Sequence, residues 1–270
     1  MSVPHLLRRL RFLAVLSALL TLGAAPEGAR RHVLIAHRGE HLRHPENTLE
    51  SIAGAIGSGA DYTEMDVRRS RDGVHLLMHD ASVDRTTDGH GKVADLDWET
   101  LSRLKVRIPG NTNGEPARIP RLEEALEACK GKIRIYLDFK TGDVGVVAGL
   151  ARAAGMTDSI LVYDSPSRVK QWREVLPDVR FILSPPAAAR TNFVALERWV
   201  GEHRPTAVDE APDAAFVEAC QKLGVLAWPD VQRAEEGPEW WTQVLATGVR
   251  GFQTDHPAEA DAWFRSRGDR

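Results

Sequence analysis

Short β-like runs alternate with amphipathic helical stretches from residue 32 to the end of the chain, and that alternation restricts the possible folds more than any other feature. The strand candidates are His32–His37, Tyr62–Val67, His75–His79, Ile133–Asp138, Ile160–Tyr163, Arg180–Leu183, Ala207–Asp209, Val225–Trp228 and Gly251–Gln253. Between most of them lie segments with apolar residues at helical spacing, such as Leu49, Ile52, Ala53 and Ile56 within Thr48–Ser58. Strand and helix in alternation imply a parallel sheet with crossover helices. A chain of 270 residues, 43% of them hydrophobic, is long enough for one (β/α)₈ barrel. An open doubly wound sheet is the alternative, but no Gly-rich nucleotide loop follows the first strand. The fold expected is therefore α/β, a TIM (β/α)₈ barrel with a small insertion after the third strand.

The insertion spans about 80–120. It is polar and turn-rich, carrying Thr86-Thr87-Asp88-Gly89-His90-Gly91 and Asn111-Thr112-Asn113-Gly114. Long connections inside compact domains are usually functional, so it is expected over the barrel mouth, shaping the pocket.

Residues 1–25 read differently. Arg8, Arg9 and Arg11 precede an uncharged run from Phe12 to Leu22, and Gly23-Ala24-Ala25 follows. This is the pattern of a secretory signal peptide, with the barrel occupying 30–270 and the mature protein periplasmic or secreted, without a stable membrane anchor. The apolar run is short for a membrane span. A net charge of −3 gives no reason to expect a nucleic-acid partner. Export permits disulfides, but Cys129 and Cys220 both lie on apolar helix faces and are expected as buried free thiols.

Nearly every strand candidate ends in a polar or ionisable residue, and in a barrel those ends converge on one face. Glu64 and Asp66 are two apart on a strand, so both point to one side and suit a hard cation such as Mg²⁺ or Ca²⁺. Asp138 and Lys140 repeat the spacing; the aspartate can complete the metal site and the lysine can face a phosphate. His37 and His79 each follow a β-like run, and histidine can accept or donate a proton near neutral pH. Arg38 can fork onto two phosphate oxygens. Pro45-Glu46-Asn47-Thr48 reads as a helix entry with Asn47 or Thr48 as N-cap, while Glu46 is either a loop brace or a site carboxylate. The inventory suits metal-assisted attack on a phosphodiester.

These motifs in this order resemble the glycerophosphodiester phosphodiesterase family. The matching segments are His37-Arg38-Gly39, Pro45-Glu46-Asn47-Thr48, Glu64-x-Asp66, His79-Asp80 with Arg85-Thr86-Thr87, Asp138-x-Lys140 and Thr254-Asp255-x-Pro257. The resemblance implies hydrolysis of small glycerophosphodiesters to sn-glycerol 3-phosphate and an alcohol, with one divalent cation, Mg²⁺ or Ca²⁺. It implies His37 and His79 as the acid/base pair, Glu64 and Asp66 as metal ligands, and Arg38 and Lys140 on the phosphate; from its own position Asp138 is expected as the third ligand, and Glu46 among the substrate-side residues. There are two departures. The family most often has Glu where this chain has Asp138, and its late aromatic motif appears here as Trp228-Pro229-Asp230-Val231. Trp228 can still wall the leaving-group pocket. Two other readings stay open: phospholipase D-like cleavage of lysophospholipids, marked by an exposed apolar rim, and a non-catalytic barrel that binds phosphorylated ligands.

Overall fold

The computed structural model describes residues 32–110, 115–211 and 213–270. The expected signal segment, 1–25, lies outside the described residues. Eight parallel strands form the sheet: β1 (Val33–Ala36), β2 (Tyr62–Arg69), β3 (Arg134–Phe139), β4 (Ile160–Tyr163), β5 (Arg180–Leu183), β6 (Ala207–Val208), β7 (Leu226–Ala227) and β8 (Gly251–Thr254). From β1 to β7 each pairs with the next in sequence, and β1 also pairs with β8. The ring closes between β7 and β8 just past the end of β7. There Gln253 N donates to Pro229 O, and Val231 N donates to Gln253 O, each at 2.9 Å. Closure excludes the doubly wound alternative.

The crossover helices are α1 (Leu49–Gly57), α2 (Leu122–Cys129), α3 (Val144–Ala153), α4 (Val169–Val175), α5 (Phe193–His203), α6 (Ala214–Lys222), α7 (Pro238–Ala246) and α8 (Pro257–Ser266). Their apolar faces cover the outward residues of the strands. Along β2, Met65 and Val67 face these helices, and Tyr62 belongs to the barrel interior with Ile35, Tyr136, Leu161, Ile182, Ala207 and Trp228. The strand period of two thus assigns one parity to the helix layer and the other to the interior. Above the interior layer the inward parity continues as Glu64, Asp66, Asp138 and Asp209, and the interior changes from apolar to acidic.

Three sequence expectations are revised here. The third strand in chain order, His75–Leu77, pairs antiparallel with β2 and stands outside the ring, because a tight turn at Asp72-Gly73 folds it back. The insertion after it packs Val83, Val93, Leu101, Val106, Ala117 and Ile119 against Leu76 and Met78 in an apolar cluster of its own. It is less uniformly polar than its turn residues suggested. A polar C-terminal tail, 265–270, would be expected to fray, yet the Arg270 side chain is 0% exposed, with Nη1 donating to Asp61 Oδ2 at 3.0 Å and Nη2 to Gly59 O at 2.6 Å. Cys129 and Cys220 are buried and free, and burial pushes their thiols up to about 12 and about 11.

Candidate active site

A cavity of about 350 Å³ opens at the C-terminal ends of the strands. Seven of the nine residues singled out from sequence line it: His37, Arg38, Glu64, Asp66, His79, Asp138 and Lys140. Glu46 stands behind Arg38, and Trp228 belongs to the packed interior layer below, its ring 5.7 Å from that of Tyr62.

Asp66 and Asp138 are register partners on adjacent strands, and Glu64 lies two residues back on the same inward face. Ligand oxygens of the three lie within 4.8 Å of one another. Burial, then Asp66 and Asp138, push the Glu64 carboxyl well above the usual carboxylate range. Asp138 is pushed up to about 6, mainly by burial and against the pull of Lys140. Lys140 Nζ lies 3.1 Å from Asp66 Oδ1 and 2.5 Å from Asp138 Oδ2. Three mutually repelling carboxylates, two of them buried and Asp138 partly so, offer hard oxygen donors that fit a divalent cation.

The loop after β1 shapes the other side. Arg38 and Asn47 both adopt positive φ, 52° and 58°. Gly39, at φ 80°, has no room for a side chain, because a Cβ there would lie 2.5 Å from Ser51 Oγ and 2.6 Å from the Ser51 carbonyl carbon. This turn aims Arg38 N at Glu64 Oε2, 2.7 Å away. Asn47 does not cap α1; Thr48 does, in a reciprocal box with Ser51. Asn47 instead grips Asp66 twice: its Nδ2 donates to Oδ2 at 2.7 Å and its Oδ1 accepts from the Asp66 amide at 2.9 Å. The Arg38 guanidinium reaches Glu46 at 3.2 Å and keeps Nε without a hydrogen-bond partner among the described residues.

Each cavity histidine is held by a carboxylate. His37 Nδ1 lies 2.7 Å from Asp255 Oδ1, and His41 Nε2 lies 2.9 Å from the same oxygen. A carboxylate only accepts, so both imidazoles donate and Nε2 of His37 is left as its basic nitrogen. Burial lowers the His37 pKa, with Asp255 acting against it. His79 Nδ1 pairs with Asp80 Oδ1 at 2.7 Å. Arg85 donates to Asp80 (2.6 and 3.2 Å) and to Glu46 (2.7 and 2.8 Å), and these bonds hold both acids below their ordinary pKa.

With this geometry established, comparison with known proteins is decisive. Residues 37–148 match the glycerophosphoryl diester phosphodiesterase family. A glycerophosphodiester phosphodiesterase of Bacillus subtilis (strain 168) is 32% identical over 258 residues, covering 84% of each chain. The chain belongs to the glycerophosphodiester phosphodiesterase family. A family member from Caldanaerobacter subterraneus subsp. tengcongensis is 29% identical over 240 residues, 83% of this chain and 94% of its own. The crystal structure of the Agrobacterium tumefaciens str. C58 enzyme superposes with a TM-score of 0.73 at 25% identity, covering 86% of this chain and 99% of that one. The same fold appears in an Oleispira antarctica phosphodiesterase solved with its product sn-glycerol 3-phosphate, at a TM-score of 0.71 and 20% identity over 86% and 96% of the two chains. The family is divalent-metal dependent, and Glu64, Asp66 and Asp138 are residues of this phosphodiesterase that fit the ion.

Sequence reasoning missed the residues that orient the site. Asp255 was visible only as part of a late motif, and its contact with His37 spans 218 positions. Arg68, which in the sequence is one of several charged residues around Glu64 and Asp66, fixes the His79 carbonyl with Nε at 2.9 Å and Nη2 at 2.6 Å. Glu236 carried no signal at all, yet it accepts from Thr254 Oγ1, Trp241 Nε1 and Asp255 N. The insertion supplies no lining residue among those described. It reaches the site from behind, through Arg85.

Proposed function

We propose that this chain hydrolyses glycerophosphodiesters to sn-glycerol 3-phosphate and an alcohol, with Glu64, Asp66 and Asp138 holding one divalent cation. The observation that carries the reading is the convergence, on one cavity, of a three-carboxylate site and two carboxylate-oriented histidines. The ion, Mg²⁺ or Ca²⁺ by its all-oxygen donor set, supplies positive charge to the phosphate oxygens. Arg38, whose Nε makes no hydrogen bond and lies 3.7 Å from Asp66 Oδ2, and Lys140 add charge whose effect strengthens as the phosphorane becomes more negative. His37 and His79 carry proton transfers in opposite senses, one from the nucleophile and one to the leaving alkoxide. The attacking oxygen is water or the glycerol hydroxyl next to the phosphate.

Glycerophosphocholine, glycerophosphoethanolamine, glycerophosphoglycerol and lysophosphatidylcholine, offered with and without chelator, test the proposal. Chelator-sensitive release of glycerol phosphate supports it, and full turnover by protein stripped of metal sinks it. The lysolipid arm is included because of one observation. Phe193 and Val194, at the start of the helix that follows β5 onto the mouth side, are 45% and 61% exposed, which suits an acyl chain.

The segment 1–25 is proposed to be removed on export, leaving a mature periplasmic or secreted barrel. Its basic, apolar and small-residue order supports this. Mass spectrometry of the native protein decides it: an intact N-terminus in the cytosolic fraction would refute the localisation.

A further inference from the structure

The cavity is divided by charge. Every basic residue that lines it, His37, Arg38, His79 and Lys140, stands with the three-carboxylate site on the β1–β3 side. The lining from β4 to β8, which is Tyr163, Asp209, Asp230, Gln232 and Gln253, carries no positive charge. A phosphate therefore belongs on the first side, and one ester arm of a diester extends over the second. Tyr163 stands where the two sides meet. It is the register partner of Asp138, which is itself the register partner of Asp66. Neighbouring strands are about 4.8 Å apart, so Tyr163 is one strand beyond the ion site. Its ring packs 6.1 Å from that of Tyr136 on the barrel interior, and the residue is only partly buried.

The direction of one hydrogen-bond chain decides what Tyr163 can bind. Ser184 Oγ donates to Asp209 Oδ2 at 2.6 Å, and Tyr163 Oη lies 2.7 Å from the same Ser184 oxygen. A serine hydroxyl has a single proton, so Tyr163 must be the donor to Ser184. Burial raises the Tyr163 pKa, and the phenol keeps its proton. Burial also raises the Asp209 pKa, but the Ser184 bond, its own backbone amide and Arg190 act against it and favour the accepting carboxylate. The chain thus runs from Tyr163 through Ser184 to Asp209. Tyr163 Oη has committed its proton to the wall behind it and has only lone pairs left for the cavity. Such an oxygen repels a phosphate oxygen and takes a hydroxyl donor.

We propose that Tyr163, with its proton fixed on Ser184, accepts a hydrogen bond from a hydroxyl group of the diester and so selects a polyol arm over an alkyl one. The inference rests on the diesterase reading above. The hydroxyl belongs either to the glycerol that every substrate carries or to a leaving alcohol that is itself a polyol. Both present the same O–H donor to the same oxygen. Tyr163→Phe removes that oxygen alone: the ring stays against Tyr136, and Ser184 still donates to Asp209.

The test uses the metal-loaded wild type, Tyr163→Phe and Ser184→Ala. It measures kcat/KM for glycerophosphocholine, whose hydroxyls are all on glycerol, and for glycerophosphoglycerol. It also measures the inhibition constant of propyl phosphate, which has the length of glycerol phosphate and no hydroxyl. Tyr163→Phe should lower kcat/KM about three- to tenfold, the range of one neutral hydrogen bond. A loss on both diesters places the hydroxyl on the common glycerol, and a loss on glycerophosphoglycerol alone places it on the leaving alcohol. In either case propyl phosphate should inhibit as it does the wild type. Ser184→Ala should show the same pattern with a smaller loss, because the phenol proton is no longer fixed. Unchanged kcat/KM on both diesters in Tyr163→Phe would overturn the proposal. So would an equal weakening of propyl phosphate, because the variant would then have disturbed the phosphate site. Wild-type values throughout in Ser184→Ala would also overturn it, since the chain would not set the proton. A metal-loaded wild type that turned over neither diester would refute the activity reading and this inference with it.

Discussion

The acidic residues of the site are held against their own electrostatics. Glu64 and Asp138 are raised because burial and neighbouring carboxylates disfavour the charged form. Glu64→Gln and Asp66→Asn should therefore fold, with Glu64→Gln as stable as wild type or more so without metal, yet bind no cation and lose at least about 100-fold in kcat. Metal analysis and steady-state rates check this, and retained turnover in Glu64→Gln would remove Glu64 from the site. Asp255 has the opposite kind of role, raising the His37 pKa against its burial. In Asp255→Asn the His37 pKa should move further down, read from the imidazole proton titration by NMR. An upward move would mean the carboxylate does not face that ring. Arg85 ties Asp80 to Glu46, so the orientations of His79 and Arg38 depend on one guanidinium.

At the scale of elements, the β1–α1 loop does two jobs with adjacent residues. Thr48 caps α1, accepting from the Ser51 amide while Ser51 Oγ accepts from the Thr48 amide. Thr48→Ala should cost about 1 kcal/mol of stability, measured by denaturant unfolding, because helix N–H groups lose their acceptor. Asn47→Ala should cost activity more than stability, because its two bonds go to Asp66 rather than to the helix. If Asn47→Ala lost stability alone, Asn47 would be a loop residue and nothing more. This division was only half legible in the sequence. Pro45-Glu46-Asn47-Thr48 announces a helix start, but Asn47 sits at positive φ with its amide on Arg38 O and its side chain on Asp66, contacts that leave the cap to Thr48.

For the whole molecule, proton and cation compete for the same oxygens. Folded-state pKa values raised on Glu64 and Asp138 mean that these two groups keep protons in the folded protein that they lose in the unfolded chain, between about pH 4 and the Asp138 value of about 6. Their contribution to metal-free stability falls as pH rises through that window. His32, His37 and His75 are lowered, so their contribution rises with pH up to about 6.5. The cation's own stabilising effect separates the two. The difference in Tm between metal-loaded and chelated protein should grow from pH 5 to pH 7.5, because affinity falls about tenfold per pH unit for each proton displaced below the Asp138 value of about 6. Thermal scans at fixed cation concentration test this, and a difference independent of pH would place the ion elsewhere.

The sequence by itself determined what repeats at short range. Period two along β2 and β3 put Glu64, Asp66, Asp138 and Lys140 on one face, and period 3.6 along α1 to α8 marked the layer that covers the other face. These patterns are local, so they survive in one dimension. Only the tertiary structure decided that His75–Leu77 folds back as an antiparallel strand, that Glu46 stands behind Arg38, and that Trp228 packs in the interior below the cavity. Ring closure alone brought Asp255 to His37 and set Asp209 and Asp230 opposite the three-carboxylate site. Contacts between strand ends far apart in sequence are fixed by how the barrel closes, and no local spacing encodes them.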